Sequence, residues 1–290
     1  MNAERVVSPR LSPVVRPRTV VARSAGWLLL RLALLVVIAV FGLPFLWTVA
    51  SALGTGRATG LPWPREATLA NFRALFDQYD VGTALRNSLI VSVVTMLLAT
   101  TTAALAGYGL SRLRYRRKIW LVYAVLLLQS IPLAATMVPV YDLAVRLGLQ
   151  NSYQGLVLTH AAIALPLLVW LMKGFTDAVP RAMEEEAWVD GASELRAWFD
   201  VVLPATLPGI AVTAGFAFAG AWSEVLMAVL LVTDPGMGTL PFRFFDLADR
   251  GGDAHIIAAL GVLYVFPVLL LFLALRRLMI KGLVESTQGM

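Results

Sequence analysis

Six apolar stretches, each close to the length of a membrane-crossing helix, constrain this chain more than any other feature. They run approximately over Trp27–Ala50, Ser88–Leu110, Ile119–Val140, Gly155–Phe175, Ala205–Val232 and Ile256–Met279. A helix of roughly 20 residues crosses the hydrocarbon core of a bilayer. Backbone groups in lipid must be bonded within the segment, so runs lacking strand-like alternation read as helices. Charge content agrees: 14% of residues are charged and 59% hydrophobic, against about 25% charged in a soluble domain. The expected fold class is an all-α integral membrane protein with six transmembrane helices.

Basic residues orient the spans. With the N-terminus inside, six Lys or Arg fall in or just beyond the first 26 residues, five in 111–118, three in 173–203 and three near the C-terminal end. Only seven then lie outside: Arg57, Arg65, Arg73, Arg86, Arg146, Arg243 and Arg250. Such a bias places both termini in the cytoplasm. The domain reading that follows is a disordered cytoplasmic tail over 1–26, a six-span domain over 27–281 and a short cytoplasmic tail over 282–290. A cytoplasmic loop over 176–204 interrupts the six-span domain. Clustering at span ends also separates these basic residues from a nucleic-acid-binding pattern, which needs a basic surface element.

Several chemistries are excluded. The chain has no Cys, so disulfides and thiol catalysis are absent. Its two histidines, His160 and His255, stand apart from any carboxylate cluster and read as packing or helix-end residues. There is no GxxxxGK[ST] phosphate loop and no nucleophile elbow or paired carboxylates. No catalytic residue, metal site or cofactor is expected in this chain. A six-span protein without a catalytic set reads as a translocation subunit that draws its energy from a docked partner.

Polar interruptions inside the spans are few. Gln129-Ser130-Ile131-Pro132, followed by Pro139, predicts a kink in the third span. Glu224, in Trp222-Ser223-Glu224, is the carboxylate set well inside an apolar run. At membrane depth a carboxylate is costly, and two roles are open to it, lining a route or pairing with a neighbouring helix. Ala103 and Gly107, one helical turn apart, allow close helix contact. In the outer loops, Leu69, Phe72, Leu75, Phe76 and Tyr79 fall on one helical face of Thr68–Tyr79, packed over helix ends or against a partner. Thr233–Ala254 carries Asp234-Pro235-Gly236 and Gly251-Gly252 and reads as a turn-rich loop able to reach outward.

The cytoplasmic segment Glu185–Pro208, EEAWVDGASELRAWFDVVLPATLP, breaks the apolar pattern. Pro180 suits the first turn of a helix, and Glu184, Glu185 and Glu186 crowd its positive end. Gly191 can take the left-handed conformation that stops it, and Ser193 can cap a second helix. Leu195, Trp198, Phe199 and Val202 then share one face. Two short helices meeting at a solvent-side elbow make a docking piece.

At this elbow the chain resembles the membrane-spanning permeases of bacterial ABC importers, whose cytoplasmic loop reads E-A-A, two residues, D-G-A, a spaced aromatic and a late Pro. The pattern falls on Glu185, Glu186, Ala187, Asp190, Gly191, Ala192, Trp198 and Pro204. Glu186 replaces the usual Ala, and Trp198 the commoner Phe. Over most of the chain the likeness is to the maltose-type carbohydrate permeases, the shorter partner of each heterodimer. It rests on Thr68…Asn71-Phe72, Arg86-Asn87-Ser88-Leu89, Ala106-Gly107-Tyr108, Trp222-Ser223-Glu224, Thr239-Leu240-Pro241 and Gly282-Leu283, while Glu285–Met290 depart from the common Lys-Gly ending.

The resemblance implies an ATPase-coupling role for the eight elbow residues. It implies a translocation path near Trp222, Ser223, Glu224 and Gln129, and contact of Pro235, Gly236, Met237 and Gly238 with a binding protein. The implied partners are a second permease subunit, an ABC ATPase dimer that binds ATP and Mg, and an extracytoplasmic solute-binding protein. All would meet in the bacterial plasma (inner) membrane, with this chain multi-pass in the lipid. The implied cargo is a sugar or oligosaccharide. A glycerol-phosphate ester or another polar solute is the alternative, less favoured because no Arg cluster faces the presumed pathway. A membrane anchor or scaffold is a third reading, and it lacks the large extramembrane domain it would need.

Overall fold

A computed structural model describes residues 18–55, 67–115 and 118–288. Among these, the chain is helical from end to end. The elements are α1 (Arg18–Ala52), α2 (Ala70–Gln78), α3 (Val81–Arg112), α4 (Lys118–Leu128), α5 (Leu133–Arg146) and α6 (Tyr153–Asp177). There follow α7 (Arg181–Val189), α8 (Glu194–Ala197), α9 (Leu203–Ala205), α10 (Leu207–Ser223), α11 (Leu226–Leu231), α12 (Leu240–Asp249) and α13 (Ala254–Gln288). Among the described residues, four helices are long and apolar enough to cross a membrane, and bent pairs bring the possible number of spans to six.

Both ends of the chain are more helical than their composition suggests. α1 begins at Arg18, inside the stretch read as a disordered tail, and α13 continues to Gln288 through most of the presumed C-terminal tail. Residues 1–17 and 289–290 lie outside the described residues.

The third and fifth spans are not single helices. α4 and α5 meet at 88°. Pro132 denies the next turn a donor and disfavours helical backbone at Ile131, while the Gln129, Ser130 and Ile131 N–H groups close α4 with tighter-turn bonds to the Leu126, Leu127 and Leu128 carbonyls, each three residues back. The break at Gln129–Pro132 thus replaces the predicted kink, with Pro139 carried inside α5. The run read as one span over Ala205–Val232 ends at Ser223, where Glu224 is extended (ψ 122°), and restarts as α11. No Pro or Gly causes that break. The extended Glu224 marks it, its carboxylate accepting the Leu226 and Met227 N–H groups of the first turn of α11 at 2.8 Å each from the residue before the N-cap, Val225.

The core sits where α3, α6 and α10 meet. Ala99, Ala103, Ala104, Ala161, Leu168, Met172 and Ala217 are buried together there. At Gly107 α3 and α6 come very close: a Cβ added to it would lie 2.7 Å from the Lys173 amide nitrogen. The small-residue pair Ala103 and Gly107 therefore serves helix packing, as read. A second cluster joins Phe218 and Trp222 of α10 to Leu260 of α13, and Leu75 of α2 packs into it. α1 packs along α13, and between Arg31 and its last turn it is apolar and mostly exposed, with Ile38 at 65% and Phe41 at 76%. A helix apolar on all sides is suited to lipid or to another membrane subunit.

At the end of the bundle away from the elbow, α2 covers its own helix ends. Leu75 is fully buried, Phe72 and Tyr79 pack beside it, and Leu69 and Phe76 of the predicted face stay exposed. The Asn71 amide donates to the Ala52 and Gly54 carbonyls at 2.9 Å, satisfying the last carbonyl of α1 and one in the turn after it. The segment read as a turn-rich loop is instead a short 3₁₀ turn, Pro235–Met237, followed by α12.

Candidate functional site

The elbow is built by local chemistry that the sequence announces. Pro180 stands just before α7 with φ −59° and ψ 132°, so the helix opens at Arg181, one residue later than a first-turn proline would place it. Gly191 has φ +88°. Its N–H donates to the Trp188 carbonyl at 3.0 Å, and the Ala192 N–H reaches back to Ala187 at 2.9 Å. These paired bonds are the Schellman closure, which needs a left-handed residue at that point. The Ser193 hydroxyl then accepts the Arg196 N–H at 3.3 Å and starts α8.

Beyond α8 the backbone widens across Trp198–Val202, where the Leu203 N–H bonds to the Trp198 carbonyl. That wider turn changes the helical pitch, so the predicted four-residue face divides. Trp198 and Val202 are buried in the core beneath the elbow, whereas Leu195 and Phe199 are 63% and 51% exposed. Trp198 lies 6.2 Å from Tyr108 ring to ring. It anchors the elbow to the bundle and offers no outward contact. Pro204 is exposed beside the 77° bend that leads into α10.

The three successive glutamates do different things. Glu185 and Glu186 are exposed and, with Ala182, Val189 and Asp190, line a shallow outer groove. Glu184 points inward and is 1% exposed. Its Oε1 accepts from Arg112 Nε at 2.6 Å, and its Oε2 accepts from the Tyr108 hydroxyl at 2.9 Å. Arg112 also donates to the Val179 carbonyl at 3.0 Å, and Arg181 donates to the Arg112 carbonyl at 2.6 Å. Below them the Ser111 hydroxyl donates to Asp177 at 2.6 Å. Reading all three glutamates as a group at the positive helix end missed this anchor, because only the phase of α7 against α3 separates them.

Around the elbow's outside, Asp190 and Gly191 are exposed and Ala187 and Ala192 half-buried. Val189 is 87% exposed, the highest figure among the large apolar side chains of the described residues. Glu185, Glu186 and Asp190 line the groove beside Val189, so the elbow presents exposed apolar side chains next to carboxylates.

Of the residues read as a translocation path, Trp222 is buried, Glu224 half-buried, and Ser223 and Gln129 exposed. Trp222 is 1% exposed, stacks on Phe218 at 5.5 Å and donates its indole N–H to the Tyr264 carbonyl at 3.0 Å. It buttresses the bundle and cannot line a path. Ser223 is exposed but its hydroxyl is spent on the Ala219 carbonyl at 2.8 Å. Glu224 bonds the first turn of α11 and faces His160 Nε2 at 3.5 Å, while His160 Nδ1 donates to the Leu156 carbonyl at 2.5 Å. Of the two roles open to Glu224, pairing with a neighbouring helix is the one these contacts display. Gln129, at the break in the third span, donates to the Ile163 carbonyl at 3.0 Å.

The Pro235–Gly238 turn is held from below. The Asn87 amide, fully buried in α3, donates to the Gly236 and Gly238 carbonyls at 2.9 and 3.1 Å and accepts from the Tyr153 hydroxyl at 2.8 Å. The neighbouring Ser88 hydroxyl accepts the Leu240 N–H at 2.7 Å. Pro235 and Gly236 remain exposed, Met237 is half-buried and Gly238 is buried. The motifs Arg86-Asn87-Ser88-Leu89 and Thr239-Leu240-Pro241 thus meet in space.

Residues 98–284 match the family described as binding-protein-dependent transport system inner membrane component. The chain is 32% identical to the maltodextrin transport system permease protein MdxG of Bacillus subtilis (strain 168), over 85% of this chain and 90% of that protein. It is 30% identical to the galactooligosaccharides transport system permease protein GanQ of the same organism, over 90% and 94%. Its fold is similar to a chain in the crystal structure of a bacterial ABC transporter involved in the import of the acidic polysaccharide alginate. There the TM-score is 0.72 at 16% identity, covering 92% of this chain and 99% of that one.

Proposed function

Because the chain belongs to the family of binding-protein-dependent transport system inner membrane components, we propose that it forms half of the translocation path of an ABC importer for a sugar or oligosaccharide. Its elbow would seat on a partner ATPase that binds ATP and Mg. The exposed apolar face of α1 would meet lipid and a second permease subunit, completing a heterodimer. Both termini would be cytoplasmic, in keeping with the basic residues concentrated at the elbow end. The Pro235–Gly238 turn would meet the extracytoplasmic binding protein. The names of the maltodextrin and galactooligosaccharides relatives support the carbohydrate cargo.

The observation that carries this reading is the division of the elbow into a buried base and an exposed outer face. Glu184 and Trp198 fix the base in the bundle, while Val189, Leu195 and Phe199 project from it. A helix held this way passes a push on its outer face into the spans, which suits rigid-body rocking between two open states. Glu185 and Asp190 would pair with basic groups of the partner's groove.

The test is Gly191→Pro in the complex reconstituted with its second permease, ATPase and binding protein. A proline cannot adopt φ +88°, so the Schellman closure opens and the outer face loses its aim. Substrate-stimulated ATP hydrolysis is expected to fall to the unstimulated level while the subunit remains in the membrane. Full stimulation in that variant would refute the elbow's role. A maltodextrin or another oligosaccharide that the binding protein fails to hold would refute the cargo separately.

A further inference from the structure

α7 joins the bundle through the chain at two places, by way of Asp177–Pro180 to α6 and by way of α8 and α9 to α10. α3 has no such link, since Arg112 and Glu184 stand 72 residues apart in sequence. Even so, its last turn grips the elbow on both arms. Arg112 and Tyr108 hold Glu184 of α7, Arg112 also binds the Val179 carbonyl before α7, and the Tyr108 ring lies against Trp198 after it.

We propose that Glu184, Arg112 and Tyr108 form a strut that makes α3 move with the elbow, so that the coupling stroke drives the second span together with the fourth and fifth. This deepens the reading of the elbow as the ATPase-coupling piece and rests on it. Glu184 is 1% exposed and the Arg112 side chain 15%. Pulling the two apart would strand the Glu184 charge out of reach of water, which costs more than moving the pair together. α3 in turn meets α6 at Gly107 with no slack, and its other end holds the Pro235–Gly238 turn through Asn87. Displacement of the elbow therefore reaches the opposite end of the bundle along one rigid helix. Glu184, Arg112 and Tyr108 are positioning residues, acting on transport through α3.

The experiment uses the assembled complex in proteoliposomes and reads substrate moved per ATP hydrolysed, a ratio that does not depend on how much complex folds. Glu184→Gln and Arg112→Gln are expected to hydrolyse ATP while the ratio falls at least about fivefold, the lower end of a measurable coupling between sites. The exchange Arg112→Glu with Glu184→Arg is expected to restore the ratio to within about twofold, since the pair is remade. A parental ratio in the single variants overturns the strut, as does an exchange variant that assembles without recovery. Failure of the single variants and the exchange alike to assemble assigns the pair to folding alone and equally overturns it. Val189→Asp separates this from the elbow reading. Loss of the ATPase from that variant, beside parental coupling in Glu184→Gln, refutes the strut only, whereas retention of the ATPase refutes the elbow as its seat.

Discussion

Asn87→Ala should free the Pro235–Gly238 turn without unfolding the bundle, and the size of the effect can be worked from its three hydrogen bonds. The wild-type side chain is fully buried, donates twice to the turn and accepts once from Tyr153. Alanine removes all three bonds. Water can replace the partner of the exposed Gly236 carbonyl at little cost, but the Gly238 carbonyl is buried. A lost bond is worth about 1 kcal/mol net, and a buried polar group left without a partner about 1–3 kcal/mol. The turn should therefore lose about 2–3 kcal/mol of local stability, and at about 1.4 kcal/mol per tenfold its opening becomes roughly 30- to 150-fold more frequent. Amide hydrogen exchange followed by mass spectrometry measures that opening over residues 233–240. Tyr153→Phe removes only the bond that does not reach the turn, so it should raise exchange about fivefold at most. Exchange in Asn87→Ala equal to the parent, or no faster than in Tyr153→Phe, would show that the turn is held by something else.

Two further outcomes follow from packing and capping. Gly107→Leu forces a side chain into the backbone of α6 at Lys173; overpacking costs about 1–3 kcal/mol, so the purified subunit should melt several degrees lower, and an unchanged melting temperature would mean that α3 and α6 are not so close. Glu224→Ala removes both side-chain bonds to the first-turn N–H groups of α11 and the neighbour of His160, a loss comparable to that of a helix cap, about 0.5–2 kcal/mol. Thermal unfolding should show it, whereas parental stability combined with lost transport would return Glu224 to a role in the path.

Features that depend on one short stretch were legible in the sequence. Gly191 and Ser193 act within a few residues, so their residue types sufficed to place a turn and a cap. The apolar runs likewise gave the spans, because burying backbone in lipid demands continuous helix. What could not be read depends on partners distant in the chain. The third-span break had its proline, but the fifth breaks at a carboxylate that pairs with His160 from another helix. The phase of α7 against α3 picks Glu184 from three adjacent glutamates. A single widened turn at Trp198–Val202 split an apolar face that a uniform 3.6-residue period would have kept whole.

The pairing of α1 with α13 bears on the order in which the protein can be assembled. The two helices are joined near one end by His255, whose ring donates to the Ser51 carbonyl at 2.8 Å across 204 residues of chain. At about 5–20 residues per second, the ribosome needs roughly 10–40 s to supply that partner. During this interval the first span is held at its last turn by Asn71 of α2 but lacks its long partner α13, and its apolar surface beyond Arg31 lets it wait in lipid. Release of a chain ending before Ala254 would leave α1 parked indefinitely, so such fragments should be preferred substrates for membrane proteases even though their remaining helices can insert.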